Sequence, residues 1–242
     1  MKYQSIFSND DRIINWYLFG SRLYGSNREN SDYDYIVVCY NDVYDSVILD
    51  YDDINVHIFS TDMFIRKIEN MDIVALECLF SNNIKQVKYN FIPNFNNSFD
   101  EYNIRKFAST ISSNSYVKGK RKLIVTGDYD LDIGLKSIFH SFRILDYAIQ
   151  VVRNKKITNW TKYNYILDDL YEMSKKYMYD ELWQKIDDKY RASYNELKHE
   201  LKLIAPKQTD DETYKWLKNF LNPYNVEDHK VKEIINHFKN SI

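Results

Sequence analysis

Breakers of regular structure are scarce in this chain: 242 residues contain five glycines and three prolines. That rules out collagen-like or Gly/Pro-rich linker segments and favours long helices joined by short connections. Two cysteines, Cys39 and Cys78, lie inside apolar stretches far from any His/Cys cluster. A disulfide framework and a thiolate zinc site are both excluded, and two buried free thiols in a reducing cytoplasm are expected. No apolar run approaches the roughly 18 residues of a membrane span. Met1-Lys2-Tyr3-Gln4-Ser5 leads directly into charged residues without the apolar stretch of a signal peptide. A cytoplasmic location follows, the host cytoplasm if the gene is a phage's, because the wealth of Asn, Lys, Ile and Tyr has the look of a low-GC bacterium or a phage.

An excess of one charge sign is also missing, since the formal net charge is −2. The distribution is nonetheless uneven. Residues 1–100 carry 8 Lys/Arg against 15 Asp/Glu, and residues 101–242 carry 25 against 20. An acidic half suited to cations thus precedes a basic half suited to phosphates.

The hydrophobic pattern predicts an α+β fold: a small mixed sheet flanked by helices, followed by an all-helical C-terminal domain. The boundary is expected near residue 100, giving domains 1–100 and 101–242. A short helix is expected at 10–16 and strands at 16–19, 33–39 and 53–59, with a further strand at 43–49. The alternation in Asp53-Ile54-Asn55-Val56-His57-Ile58-Phe59 puts Ile54, Val56 and Ile58 on one face. Ser60 or Thr61 should cap a helix through Glu69, and Ile73 to Phe80 reads as another. An edge strand is expected at 84–89 and a loop at 93–98. Helices follow at 101–126, 131–153, 160–178, 180–204, 210–220 and 226–240, with Gly119 and Gly127 as a break and a stop in the first.

Residues 20–34 read Gly-Ser-Arg-Leu-Tyr-Gly-Ser-Asn-Arg-Glu-Asn-Ser-Asp-Tyr-Asp between two apolar runs. Residues i and i+2 of a strand share a face, so Asp32 and Asp34 aim two carboxylates at one point. Gly20 lets the backbone approach a phosphate, and Ser21 offers a hydroxyl and an N–H. Gly25 would end a short helical turn beginning near Arg22, whose N-terminus would favour the same anion, and Arg22 and Arg28 are candidate phosphate contacts. This is the arrangement of a divalent-metal phosphoryl-transfer site. Two Mg²⁺ ions, or Mn²⁺, would serve, held by carboxylates and phosphate oxygens. A third acid would come from Asp50, Asp52 or Asp53. Asp53 leads because it lies opposite the Ile54, Val56, Ile58 face, and Asp52 is next.

Gly20-Ser21 followed by Asp32-Tyr33-Asp34 resembles the signature of the DNA polymerase beta-like nucleotidyltransferase superfamily. The longer string, with Asp53 before its strand and Leu76-Glu77-Cys78-Leu79-Phe80 after it, is similar to a branch of predicted bacterial and phage nucleotidyltransferases. The resemblance is strong over about 16–80. It implies metal-dependent transfer of a nucleotide from a nucleoside triphosphate such as ATP, with Asp32, Asp34 and Asp53 as catalytic, metal-binding acids. It extends to Lys136, His140 and Arg143, which fall on one helical face and would reach the β- and γ-phosphates. The run Lys118-Gly119-Lys120-Arg121-Lys122 is the densest basic cluster and would hold a triphosphate or an RNA backbone.

The expected reaction is transfer of a nucleoside monophosphate to an acceptor hydroxyl with release of pyrophosphate. A protein, a tRNA 3′ end or a small molecule would all suit as acceptor. Two alternatives stand beside it: synthesis of a cyclic or oligonucleotide second messenger, and a non-catalytic nucleotide-binding module of antitoxin or anti-defence type.

Overall fold

A computed structural model describes residues 7, 10–40, 46–51, 53–81, 85–206, 230 and 233, without the side chains of Ser46, Tyr51 and Lys85. Residues 1–205 form one compact unit and residues 206–242 a second. The change of character near residue 100 therefore lies inside the first unit. The helices expected at 210–220 and 226–240 fall outside the described residues, apart from positions 230 and 233.

Five strands make one mixed sheet: β1 (Ile13–Phe19), β2 (Tyr33–Cys39), β3 (Ser46–Tyr51), β4 (Ile54–Ser60) and β5 (Lys85–Val87). Their spatial order is β3-β4-β2-β1-β5, with β2 and β4 parallel and the other neighbours antiparallel. β1 replaces the N-terminal helix expected at 10–16. Ile13 to Leu18 are all buried because β1 is flanked by β2 and β5 and covered on both faces. A continuously buried run of this kind, with a single polar residue at Asn15, does not by itself separate strand from helix.

Helices α1 (Ser21–Tyr24), α2 (Thr61–Glu69), α3 (Ile73–Phe80), α4 (Ile92–Ser98), α5 (Glu101–Ile124), α6 (Leu131–Asn154), α7 (Asn164–Ser174) and α8 (Tyr179–Ile204) complete the unit. The Ser60 hydroxyl caps α2 by accepting from the Met63 N–H, and Asp72 caps α3 through Val74 N–H. α4 occupies the segment expected to be a loop. Pro93 sits in its first turn, where its missing N–H costs nothing, and Phe95 is buried against Phe80 and Phe99. Among the described residues, no helix is long and apolar enough to cross a membrane.

One sheet face, carrying Tyr17, Ile36, Val38 and Phe59, packs on the helices in a single large core. The other carries Trp16, Leu18, Tyr35, Val37 and Val56 in a smaller cluster. α6 is the central helix, apolar on most of its circumference and buried along nearly all its length. Gly119 does not break α5. A Cβ there would lie 2.5 Å from Ile138, and one at Gly134 would lie 2.8 Å from Leu123, so two glycines let α5 and α6 pack backbone to backbone.

Candidate active site

The acids sit where β2 begins. Phe19 at the end of β1 pairs with Asp34, so Gly20 turns directly over that carboxylate. Gly20 has φ +68° and ψ −152°, a conformation that side chains exclude, and a Cβ there would stand 2.0 Å from Asp34 Oδ2. One turn of helix follows and ends at Gly25 in the left-handed conformation, as the sequence predicts. Asn164 of α7 donates to the carbonyls of Tyr24 and Gly25 at 2.9 and 3.0 Å, tying this turn to the helical layer.

Asp32 and Asp34 point to the helical side of the sheet, in line with Ile36 and Val38. The parallel register places Asn55 beside Asp34, and Asn55 Nδ2 donates to Asp34 Oδ1 at 3.2 Å. Burial raises the Asp34 pKa above the ordinary carboxylate value, with the charge of Asp32 adding to it. The Asn55 hydrogen bond, His57 and Lys136 act in the opposite direction.

Of the candidates for the third acid, Asp50 lies on β3 and Asp53 at the turn into β4. Among the described residues, no three His, Cys, Asp or Glu side chains gather closely enough to hold a metal ion. Asp53 shares the face of Asn55 and His57 but belongs to the turn that opens β4, where its carbonyl accepts the Tyr33 N–H at 2.8 Å. The place next to Asp34 is taken by the Asn55 carboxamide. Asp50 is exposed on β3, and Asp52 lies outside the described residues. Of the expected metal set, Asp32 and Asp34 line one cavity, and the register that pairs Tyr33 with Ile54 sets Asp53 at the strand end next to Asp32.

A cavity of about 710 Å³ opens over that pair. Ser21, Asp32 and Asp34 line one side, and Lys118, Lys136 and His140 of α5 and α6 line the other. The structure therefore brings the acids to the stripe predicted on α6. Lys136 is half-exposed and paired with Asp132 at 2.6 Å. Arg28 also reaches the cavity, its guanidinium stacked 3.3 Å over the Tyr171 ring.

Arg22 does not line the cavity. It donates to the carbonyls of Ser31 and Asp32 at 2.6 and 3.2 Å and lies 3.8 Å over the Tyr33 ring, holding the loop in shape. Of the basic run 118–122, only Lys118 lines the cavity. Arg121 and Lys122 pair with Asp128, and Lys120 lies over Trp183. Arg143 is at the cavity floor but is not a free cation. Its guanidinium is ion-paired with Glu77, both side chains being almost fully buried, and lies 3.5 Å over the Tyr24 ring. Glu77 Oε2 accepts the Tyr24 hydroxyl at 2.8 Å. The sequence carries a signal for this network: a lone carboxylate within the apolar helix Ile73–Phe80 demands a buried partner.

Residues 1–90 match the family model described as polymerase beta, nucleotidyltransferase. That segment is a nucleotidyltransferase domain of the polymerase beta superfamily, as its Gly20-Ser21 and Asp32/Asp34 geometry indicates. A solved structure of a nucleotidyltransferase-like protein from Exiguobacterium sibiricum 255-15 is similar over 88% of this chain and 78% of that chain, at 13% identity and a TM-score of 0.31. That likeness is too distant to bear on the site. No curated protein matches the chain.

Proposed function

We propose that this chain transfers a nucleoside monophosphate from a nucleoside triphosphate to the hydroxyl of a protein, a tRNA or a small molecule in the cytoplasm, releasing pyrophosphate. One observation carries the proposal: an aligned carboxylate pair faces a lysine-bearing helical wall across a cavity of about 710 Å³. In this reading residues 1–100 supply the acids and the helices after 101 supply the opposing cations. Two adjacent carboxylates, one of them half-buried and raised in pKa, fit Mg²⁺ or Mn²⁺, which bind through one or two carboxylates together with substrate phosphates. Bound there, the metal would neutralise phosphate charge and stabilise the leaving pyrophosphate.

The chain's own groups position the triphosphate. Gly20 keeps the backbone clear of Asp34, and the Ser21 hydroxyl donates to a phosphate oxygen. Lys118 and Lys136 offset the charge of the β- and γ-phosphates, and His140 adds a polar contact between them. Fixed donors aimed at phosphate oxygens account for most of the catalysis in such transfers.

Asn55 favours a second reading, a nucleotide-binding module without turnover, because a carboxamide stands beside Asp34 and no three acids gather there among the described residues. Incubation with Mg²⁺ or Mn²⁺ and each α-labelled NTP, with protein, tRNA and small-molecule acceptors, separates the two. Label transfer with pyrophosphate release, abolished in a D32A/D34A variant, is the expected result. A label retained on a cyclic or oligonucleotide product would make the acceptor a second nucleotide. Nucleotide binding without pyrophosphate release under every condition would leave the binding module as the function.

A further inference from the structure

We propose that Glu77 and Arg143 lock His140 as an uncharged hydrogen-bond donor, with Nε2–H turned to the cavity for a phosphate or ribose oxygen of the bound nucleotide. The lock rests on side-chain geometry alone, and the choice of ligand rests on the nucleotide reading of the cavity.

Arg143 Nη2 lies 2.6 Å from His140 Nδ1. A guanidinium has five N–H groups and no lone pair, so it donates, and Nδ1 must be the acceptor. A histidine whose Nδ1 offers a lone pair carries its single proton on Nε2 and is not an imidazolium. Arg143 has little freedom to relax this demand. Its Nη1 is bound to Glu77 Oε1, its face rests on Tyr24, and Glu77 is itself held by the Tyr24 hydroxyl. His140 lines the cavity, and its Nε2 has no hydrogen-bond partner among the described residues.

The surroundings act the same way. Burial lowers the His140 pKa well below its usual value, and the two cations that face it, Arg143 and Lys118, lower it further. A proton acceptor for the attacking hydroxyl is thereby excluded at this position, because the only basic ring nitrogen is already engaged. Glu77 and Arg143 are positioning residues: both side chains are almost fully buried, and both set what His140 presents.

Long-range ¹⁵N–¹H correlation spectra of the labelled full chain read the tautomer directly, with H140Q identifying the His140 signals. The expected result is a neutral ring with bare Nδ1 and protonated Nε2 at pH 6.5. A proton on Nδ1, or a charged ring at that pH, overturns the proposal. Arg143→Met should release the ring, so that His140 mixes tautomers and titrates nearer its usual range; an unchanged ring would refute the lock. If that variant does not fold, the wild-type spectrum alone decides.

Addition of the α,β-methylene analogue of each NTP with Mg²⁺, which binds without turnover, should shift the Nε2 resonance. A bound analogue with Nε2 unmoved overturns the donor role, whereas a chain that binds none of them overturns the nucleotide reading and leaves the lock standing. H140A should weaken binding of the analogue by about three- to tenfold, the worth of one hydrogen bond. H140Q keeps an N–H near the Nε2 position and should lose less affinity. A kcat collapse equal in both variants, with KM unmoved, would mark His140 as a base and refute the assignment.

Discussion

Replacing Arg143 by methionine tests the energetic account of the cavity floor. The Arg143 and Glu77 side chains are 2% and 0% exposed, so the substitution strands a carboxylate in the core rather than at a surface. Removing one partner of a buried pair costs about 3–5 kcal/mol, most of it the desolvation of the group left behind. For a chain of this size about 1 kcal/mol corresponds to roughly 2–4 °C, so Tm should fall by about 6–20 °C. The pH dependence carries the sharper test. Burial raises the Glu77 pKa even with Arg143 beside it, and removing Arg143 takes away the largest influence that lowers it. A carboxyl whose folded-state pKa exceeds its unfolded value costs stability as pH rises through that interval, because the unfolded chain then holds fewer protons. The deficit of the variant should therefore be largest near neutral pH and shrink as acid protonates Glu77. A Glu77→Leu/Arg143→Met chain has no charge to strand. It should recover most of the loss, less the Tyr24 hydroxyl bond worth about 1 kcal/mol. Urea denaturation at several pH values, followed by tryptophan fluorescence, measures all of this. A deficit that ignores pH, or that the double variant shares in full, would refute the reasoning.

Two further outcomes follow from the acid side. Asn55→Asp should place a third carboxylate beside Asp34 and tighten Mn²⁺ binding by about tenfold or more in a calorimetric titration, while lowering the metal-free Tm through like-charge repulsion. Unchanged metal affinity would show that the register does not bring position 55 to the acids. Gly20→Ala combines a strained φ with a Cβ 2.0 Å from Asp34 Oδ2, so it should cost about 1–3 kcal/mol and displace that carboxylate. Full metal binding and an unchanged melting curve in this variant would argue that the turn is not shaped by Asp34.

The legible parts of the fold are those whose signal is local. β2 and β4 announce themselves by apolar runs and alternation, and α2 by Ser60 one residue ahead of it. The first half of β1 was not legible, because an uninterrupted buried run fits either helix or strand until its neighbours are known. Segment 92–98 reads as a loop from Pro93 and its asparagines. It is helical because proline is tolerated in a first turn and Phe95 has a buried place to fill.

The site divides along the same line. Sequence alone determined that Asp32 and Asp34 share a face, that Gly20-Ser21 precedes them, and that Lys136, His140 and Arg143 form one stripe, since each follows from the repeat of a strand or a helix. Tertiary structure decided the rest. The parallel register of β2 and β4 placed Asn55, not Asp53, against Asp34. The close crossing of α5 and α6 at Gly119 and Gly134 brought Lys118 to the cavity. The burial of Glu77 gave Arg143, expected as a phosphate contact, a carboxylate partner at the cavity floor. Spacing along a chain sets which side chains share a face, but which faces meet depends on pairing and packing between residues far apart in sequence.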